Sequence, residues 1–223
     1  MISSSRPGSQ ERHDIQTELT RILKNPKATA EFRIIRVTRH LLTTEGLAIS
    51  METIAEEAGV GRSTLFRHFP SRDELVARAL DESLAHFHDQ IPAAIEESAG
   101  LETWLMSTVS SLHRMQLTAG RGLWQLAAAD DRELPPLIAK VNKKRRRTRR
   151  ETTLALAGEA WRRSGATGPV PVEVELAFAL AFSSFTAHSV NVDYGAEEQD
   201  TVRMLVELLL SLLRGRNRQR PKT

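Results

Sequence analysis

The sequence of 223 residues contains no cysteine, so disulfides and thiolate metal sites are excluded. Aromatic residues are sparse, with one Tyr and three Trp. No apolar run approaches the ~18 residues a membrane-spanning helix needs; "LVELLLSLL" is the longest. The first residues, "MISSSRPGSQERHD", are polar and lack the apolar stretch of a signal peptide. A cytoplasmic protein is the expectation. Sustained period-two alternation of β-branched residues is missing too, which argues against a sheet. Neither HExxH, G-x-S-x-G nor a Gly-rich phosphate loop occurs, so an enzyme is not expected. His86 and His88 stand two apart and point to different sides of a helix, while His113 and His188 stand alone. No metal and no cofactor are therefore expected.

What is present is charge in blocks and helical periodicity. The net charge of +3 conceals a basic run at 140–150, "KVNKKRRRTRR", with eight Lys or Arg and no acid. It lies inside an expected long helix, where Lys140, Lys143, Lys144 and Arg147 share a face. That face is either simply solvated or a site for an anion. Apolar spacing predicts helices over about 28–45, 51–58, 62–69, 71–89, 101–119, 122–129, 134–163, 172–191 and 199–214. The loops between them, such as "SGATGPVP" and "DYGAEEQ", are rich in turn formers. The fold class is all-α: an N-terminal helix-turn-helix domain and a C-terminal helical domain. The expected divisions are an arm at 1–27 with a short amphipathic helix signal, a first domain at 28–88, a second at 89–214, and a basic disordered tail at 215–223.

The densest signal is "AGVGRSTLFRHFPSRDEL", from Ala58 to Leu75. Two helices of about two turns, separated by three residues with Gly59 at the bend, fit a helix-turn-helix. Ile54, Ala55, Ala58, Val60, Leu65 and Phe69 are the apolar residues that pack the two together. Arg62, Ser63, Thr64, Arg67 and His68 remain on the polar side. Short hydroxyls near a helix start, backed by cations, suit the DNA major groove: the hydroxyls reach base edges and the cations hold phosphates. The competing reading is a structural hairpin with a solvated basic face.

The stretch "ISMETIAEEAGVGRSTLFRHFPSRDEL" resembles the DNA-binding signature of the TetR/AcrR family of transcriptional regulators. "RIIRVTRHLLTTEGL" before it resembles the first helix of that signature. The resemblance covers about residues 28–88. It implies a homodimer on a palindromic double-stranded DNA operator, usually repressing, and released or tightened by a small-molecule effector. By position, Arg62, Ser63 and Thr64 fall on the start of the recognition helix. Phe66 falls where a Tyr is usual, His68 on a phosphate-contacting His, and Arg72 on a phosphate-contacting Lys. Ser50 falls on a Ser/Thr at the start of the preceding helix. Gly61 replaces a frequent capping Ser. In the C-terminal half, Trp104, His113, Trp124, Phe178 and Phe182 are candidates for an effector cavity and equally for ordinary core. In this family the last two helices pair with those of a second copy. Phe185, Leu205, Leu208, Leu209 and Leu212 are the candidate seam. The rivals are a helical enzyme or small-molecule carrier with an inert helix-turn-helix, and a purely structural adaptor.

Overall fold

The computed structural model describes residues 29–89 and 100–218, so the expected N-terminal arm lies outside the described residues. Within them are ten α-helices, one π-helical turn and no strand. Helix α1 (Ala30–Thr44) starts where Thr29 Oγ1 accepts the Phe32 N–H at 3.2 Å. Its inward stripe is Ile34, Ile35, Val37, Leu41 and Leu42, at helical spacing. Helix α2 (Met51–Ala58) is capped by Ser50, whose Oγ accepts from Thr53 N at 3.0 Å. Gly59 ends it at φ 61°, a left-handed conformation in which any Cβ is penalised. The Val60 N–H then reaches back to the Ala55 carbonyl, satisfying an orphan carbonyl of the last turn. Helix α3 (Arg62–His68) follows at once, and α4 (Arg72–Asp89) begins where Ser71 Oγ accepts the Glu74 N–H.

The remaining helices are α5 (Leu101–Thr118), α6 (Gly120–Ala128), α7 (Pro136–Arg163), α8 (Val172–Ala181), α9 (Ser184–His188) and α10 (Glu198–Arg218). Two buried clusters hold the molecule together. One joins α1–α4 to Leu126, Ile138 and Val141, so α6 and the start of α7 share the core of the helix-turn-helix. The other gathers α5, the end of α7, α8 and α10 around Trp104, Trp161 and Phe178.

Two expected elements are corrected. The helix expected over 172–191 is broken: Ser183 is extended and its Oγ caps α9, and Ser189–Asp193 forms the π turn. The break is stabilised from outside, because Arg149 Nη2 donates to the Ala179 carbonyl at 2.6 Å. Phe185 is thereby turned off the Phe178–Phe182 stripe and becomes half exposed. Helix α10 also runs to Arg218, four residues into the segment expected as a disordered tail. Cations near a helix C-terminus favour its dipole, and no proline interrupts the chain before Pro221.

Candidate nucleic-acid interface and internal cavity

In the helix-turn-helix, Leu65 is fully buried and pins α3 against Ile54 and Ala58 of α2. That orientation leaves Ser63 and Arg67 exposed and Thr64 and His68 partly exposed, all on one short helix. Gly61 caps α3 with extended backbone and contributes no side-chain hydrogen bond. Phe66 is partly buried against the head core, and the Arg62 guanidinium lies over its ring, 5.4 Å from the centroid. Arg62 also pairs with Glu52 at 3.4 Å, on a surface exposed enough that the pair adds little stability.

Arg72 is more tied down than its charge alone suggests. Its Nε donates to the Ile49 carbonyl at 2.6 Å, a terminal nitrogen reaches the Leu47 carbonyl, and Nη1 meets Asp73 at 3.1 Å. It therefore braces the loop that presents Ser50 and α2. The Leu47 N–H in turn donates to Gln125 Oε1 of α6 at 2.7 Å, and Lys144 of α7 pairs with Asp81 of α4 at 2.6 Å. The head is thus joined to α6 and α7 by polar links as well as by core.

Between α4, α5, α6 and α7 and the α8–α9 break lies a cavity of about 140 Å³. Its apolar wall includes Leu112, Met115, Leu123, Leu156 and Phe182, and its polar members include Gln116, Arg145 and Arg149. Of the five sequence candidates, only Phe182 lines it. Trp104 and Phe178 are buried in the C-terminal core. His113 is buried too, its Nε2 2.8 Å from Asn191 Oδ1 of the π turn. Because Asn191 Nδ2 donates to the Ala196 carbonyl and Thr201, its Oδ1 must accept, so His113 carries its proton on Nε2. Trp124 lines a separate outer groove beside His188 and Phe185. Arg145 and Arg149 escaped the sequence reading because they sit in a run of like charges. Only the helical offset from Lys140, Lys143, Lys144 and Arg147 could have set them apart.

Of the seam candidates, Leu205 and Leu209 are buried in the core of their own chain, and Leu209 is 2% exposed. Leu212 is half-buried. Leu208 is 60% exposed, and Val172, Leu176 and Leu180 of α8 are exposed as well. Among the described residues, no three metal-ligating side chains converge, and no helix is long and apolar enough to cross a membrane.

No curated protein matches the chain. Solved structures do match in fold. The flavonoid-responsive regulator FrrA superimposes with a TM-score of 0.57 at 20% identity, over 82% of this chain and 94% of its own. A proposed tetR-type transcriptional regulator of Streptomyces avermitilis gives 0.56 at 17%, over 82% and 98%. A proposed tetR-family transcription regulator of Shewanella sp. PV-4 gives 0.52 at 19%, over 83% and 96%. Residues 34–79, the span from α1 into α4, match the family model of the bacterial regulatory proteins, tetR family. The family match thus falls on the head built around α2 and α3.

Proposed function

We propose that this chain is a sequence-specific DNA-binding transcriptional regulator, acting as a homodimer on a palindromic operator and answering to a small-molecule effector. Repression is the expected sense. The observation that carries the reading is the α2–α3 pair: a buried Leu65 and a left-handed Gly59 hold Ser63, Thr64, Arg67 and His68 outward on one helix. We assign the reading of base edges to Thr64 and Ser63, and phosphate contacts to Arg62, Arg67 and His68. To Ser50, which caps α2, we assign a contact to the DNA backbone. Arg72 combines its phosphate role with bracing of the Leu47–Ile49 loop.

The cavity supplies the effector site. It touches Leu84 of α4 and Leu123 of α6, both partly buried against the head core, so filling it can shift the head. One structural relative is named for its response to flavonoids, in keeping with a ligand-answering fold. The dimer seam we assign to the exposed apolar face of α8 and α10, around Leu176, Leu180 and Leu208. No catalytic role is proposed. Selection of bound sequences from a random duplex pool by the purified protein tests the reading. Enrichment of one palindrome is expected, and a pool left without enrichment would reject it.

A further inference from the structure

The basic run of α7 divides by helical phase. Its outer cations are solvated or paired: Lys144 with Asp81, Arg146 with Asp131, Arg147 with Glu151. Arg145 and Arg149, one turn apart, line the half-open cavity as well, although Arg149 is itself exposed. Arg145 is half-buried, and its Nε donates to Asn142 Oδ1 at 2.9 Å. Asp131, whose charge Arg145 feels, is taken by Asn142 Nδ2 and Arg146. Arg149 spends one terminal nitrogen on the carbonyls of Ala179 and Phe182. Among the described residues, neither guanidinium forms an ion pair within 4 Å. Glu175 lines an outer groove of about 560 Å³ that also reaches both arginines, but pairs with neither.

Two cations thus share the edge of an apolar cavity without an anion. Burial and the charges of Arg149 and Arg146 push the Arg145 guanidinium down to about 10, and burial lowers Arg149 as well. Both remain charged at neutral pH, and Arg145, the more buried of the two, is held at a cost that an anion would offset. On the cavity wall, Gln116 Oε1 is buried without a hydrogen-bond partner. As an acceptor it calls for a donor, which a carboxylate lacks, so it takes no part in seating the anion.

We propose that the cavity takes a compact amphipathic monocarboxylate, its carboxylate held by Arg145 and Arg149 and its apolar body against Leu112, Met115, Leu156 and Phe182. The carboxylate matches the planar donor fork of arginine, and one negative charge is cheaper to bring against an apolar wall than two. The volume suits a body of about one aromatic ring or a short alkyl chain, since a cavity of about 150 Å³ is known to hold benzene. The outer groove gives the acid a route to the arginines from solvent. This deepens the effector site proposed above and rests on that reading for its effect on DNA.

The test is calorimetric titration of the full chain with benzoate, phenylacetate and octanoate, each beside its neutral amide. At least one acid is expected to bind once per protomer, and about tenfold or more tighter than its amide, the worth of a charge-assisted hydrogen bond. Arg145→Gln should bring that acid to the level of its amide and leave the amide unchanged, whereas Arg145→Lys should retain part of the preference. If Arg145→Gln fails to fold, the acid–amide comparison on the unaltered protein decides alone. Equal affinity for acid and amide, an Arg145→Gln variant that binds the acid normally, or no binding of any acid would overturn the proposal. Acid binding in a protein that selects no operator would leave the site standing and remove the regulator reading.

Discussion

At the scale of single residues, one short helix carries both the exposed groups proposed to read DNA and a buried anchor, Leu65. Thr64→Ala should change which operator variants bind best, by about 1–3 kcal/mol at the contacted position, in competition binding across single-base variants. Arg72→Ala should behave differently. It removes donors from the Ile49 and Leu47 carbonyls, so the head should lose about 1–3 kcal/mol in urea denaturation and bind every sequence more weakly. A variant of unchanged stability that merely altered sequence preference would contradict this division of labour. A Cβ placed on Gly61 would meet nothing within 4 Å, and serine adopts the extended backbone there without strain. Gly61→Ser should therefore raise stability by a few tenths of a kcal/mol, about the difference between a glycine and a hydroxyl cap. Phe66→Tyr should keep the fold and tighten operator binding modestly. A looser complex with unchanged melting would mean that the ring, already covered by Arg62, has no room for an oxygen.

At the scale of elements, the helices were legible because their signals are local. Ser50, Gly59, Ser71 and the apolar stripes of α1 and α4 lie within a turn or two of the boundaries they set. The break at Phe182–Ser183 was not legible, because its stabilising donor, Arg149, is more than thirty residues away in sequence. The cavity residues were obscured for a related reason. Large aromatics such as Trp104 and Phe178 announce burial, but core and cavity wall use the same side chains. The contact between α1 and α6 was equally invisible. A Cβ on Gly122 would lie 2.6 Å from the Leu42 carbonyl oxygen, so only glycine lets these helices approach so closely. Gly122→Ala should force α6 away from α1 and destabilise the protein by about 1–3 kcal/mol, as overpacking does, measured by urea denaturation. Stability within error of the unaltered chain would show that the helices can separate at no cost.

At the scale of the whole molecule, head and C-terminal helices form one mechanical unit. The head core runs into Leu126, Ile138 and Val141, and Gln125 and Lys144 add polar ties. A dimer set by α8 and α10 would fix the spacing of two such heads, and the cavity wall runs from Leu84 of α4 to Phe182 at the end of α8. The helical period alone chose Leu209 and Leu208 alike for the seam; packing separates them, with Leu209 inside and Leu208 outside. Leu208→Glu should give a folded monomer of normal helix content by sedimentation, since a charge buried in a seam without a partner costs several kcal/mol. A stable dimer would place the seam elsewhere. The central claim, that the head reads sequence through a dimer, is tested most directly by binding of the selected palindrome and of a scrambled duplex of equal composition, between 50 and 200 mM salt. The expected result is a preference of about 10³ or more for the palindrome at physiological salt, with both affinities falling steeply as salt rises. Equal affinity for the two duplexes at every salt concentration would contradict it.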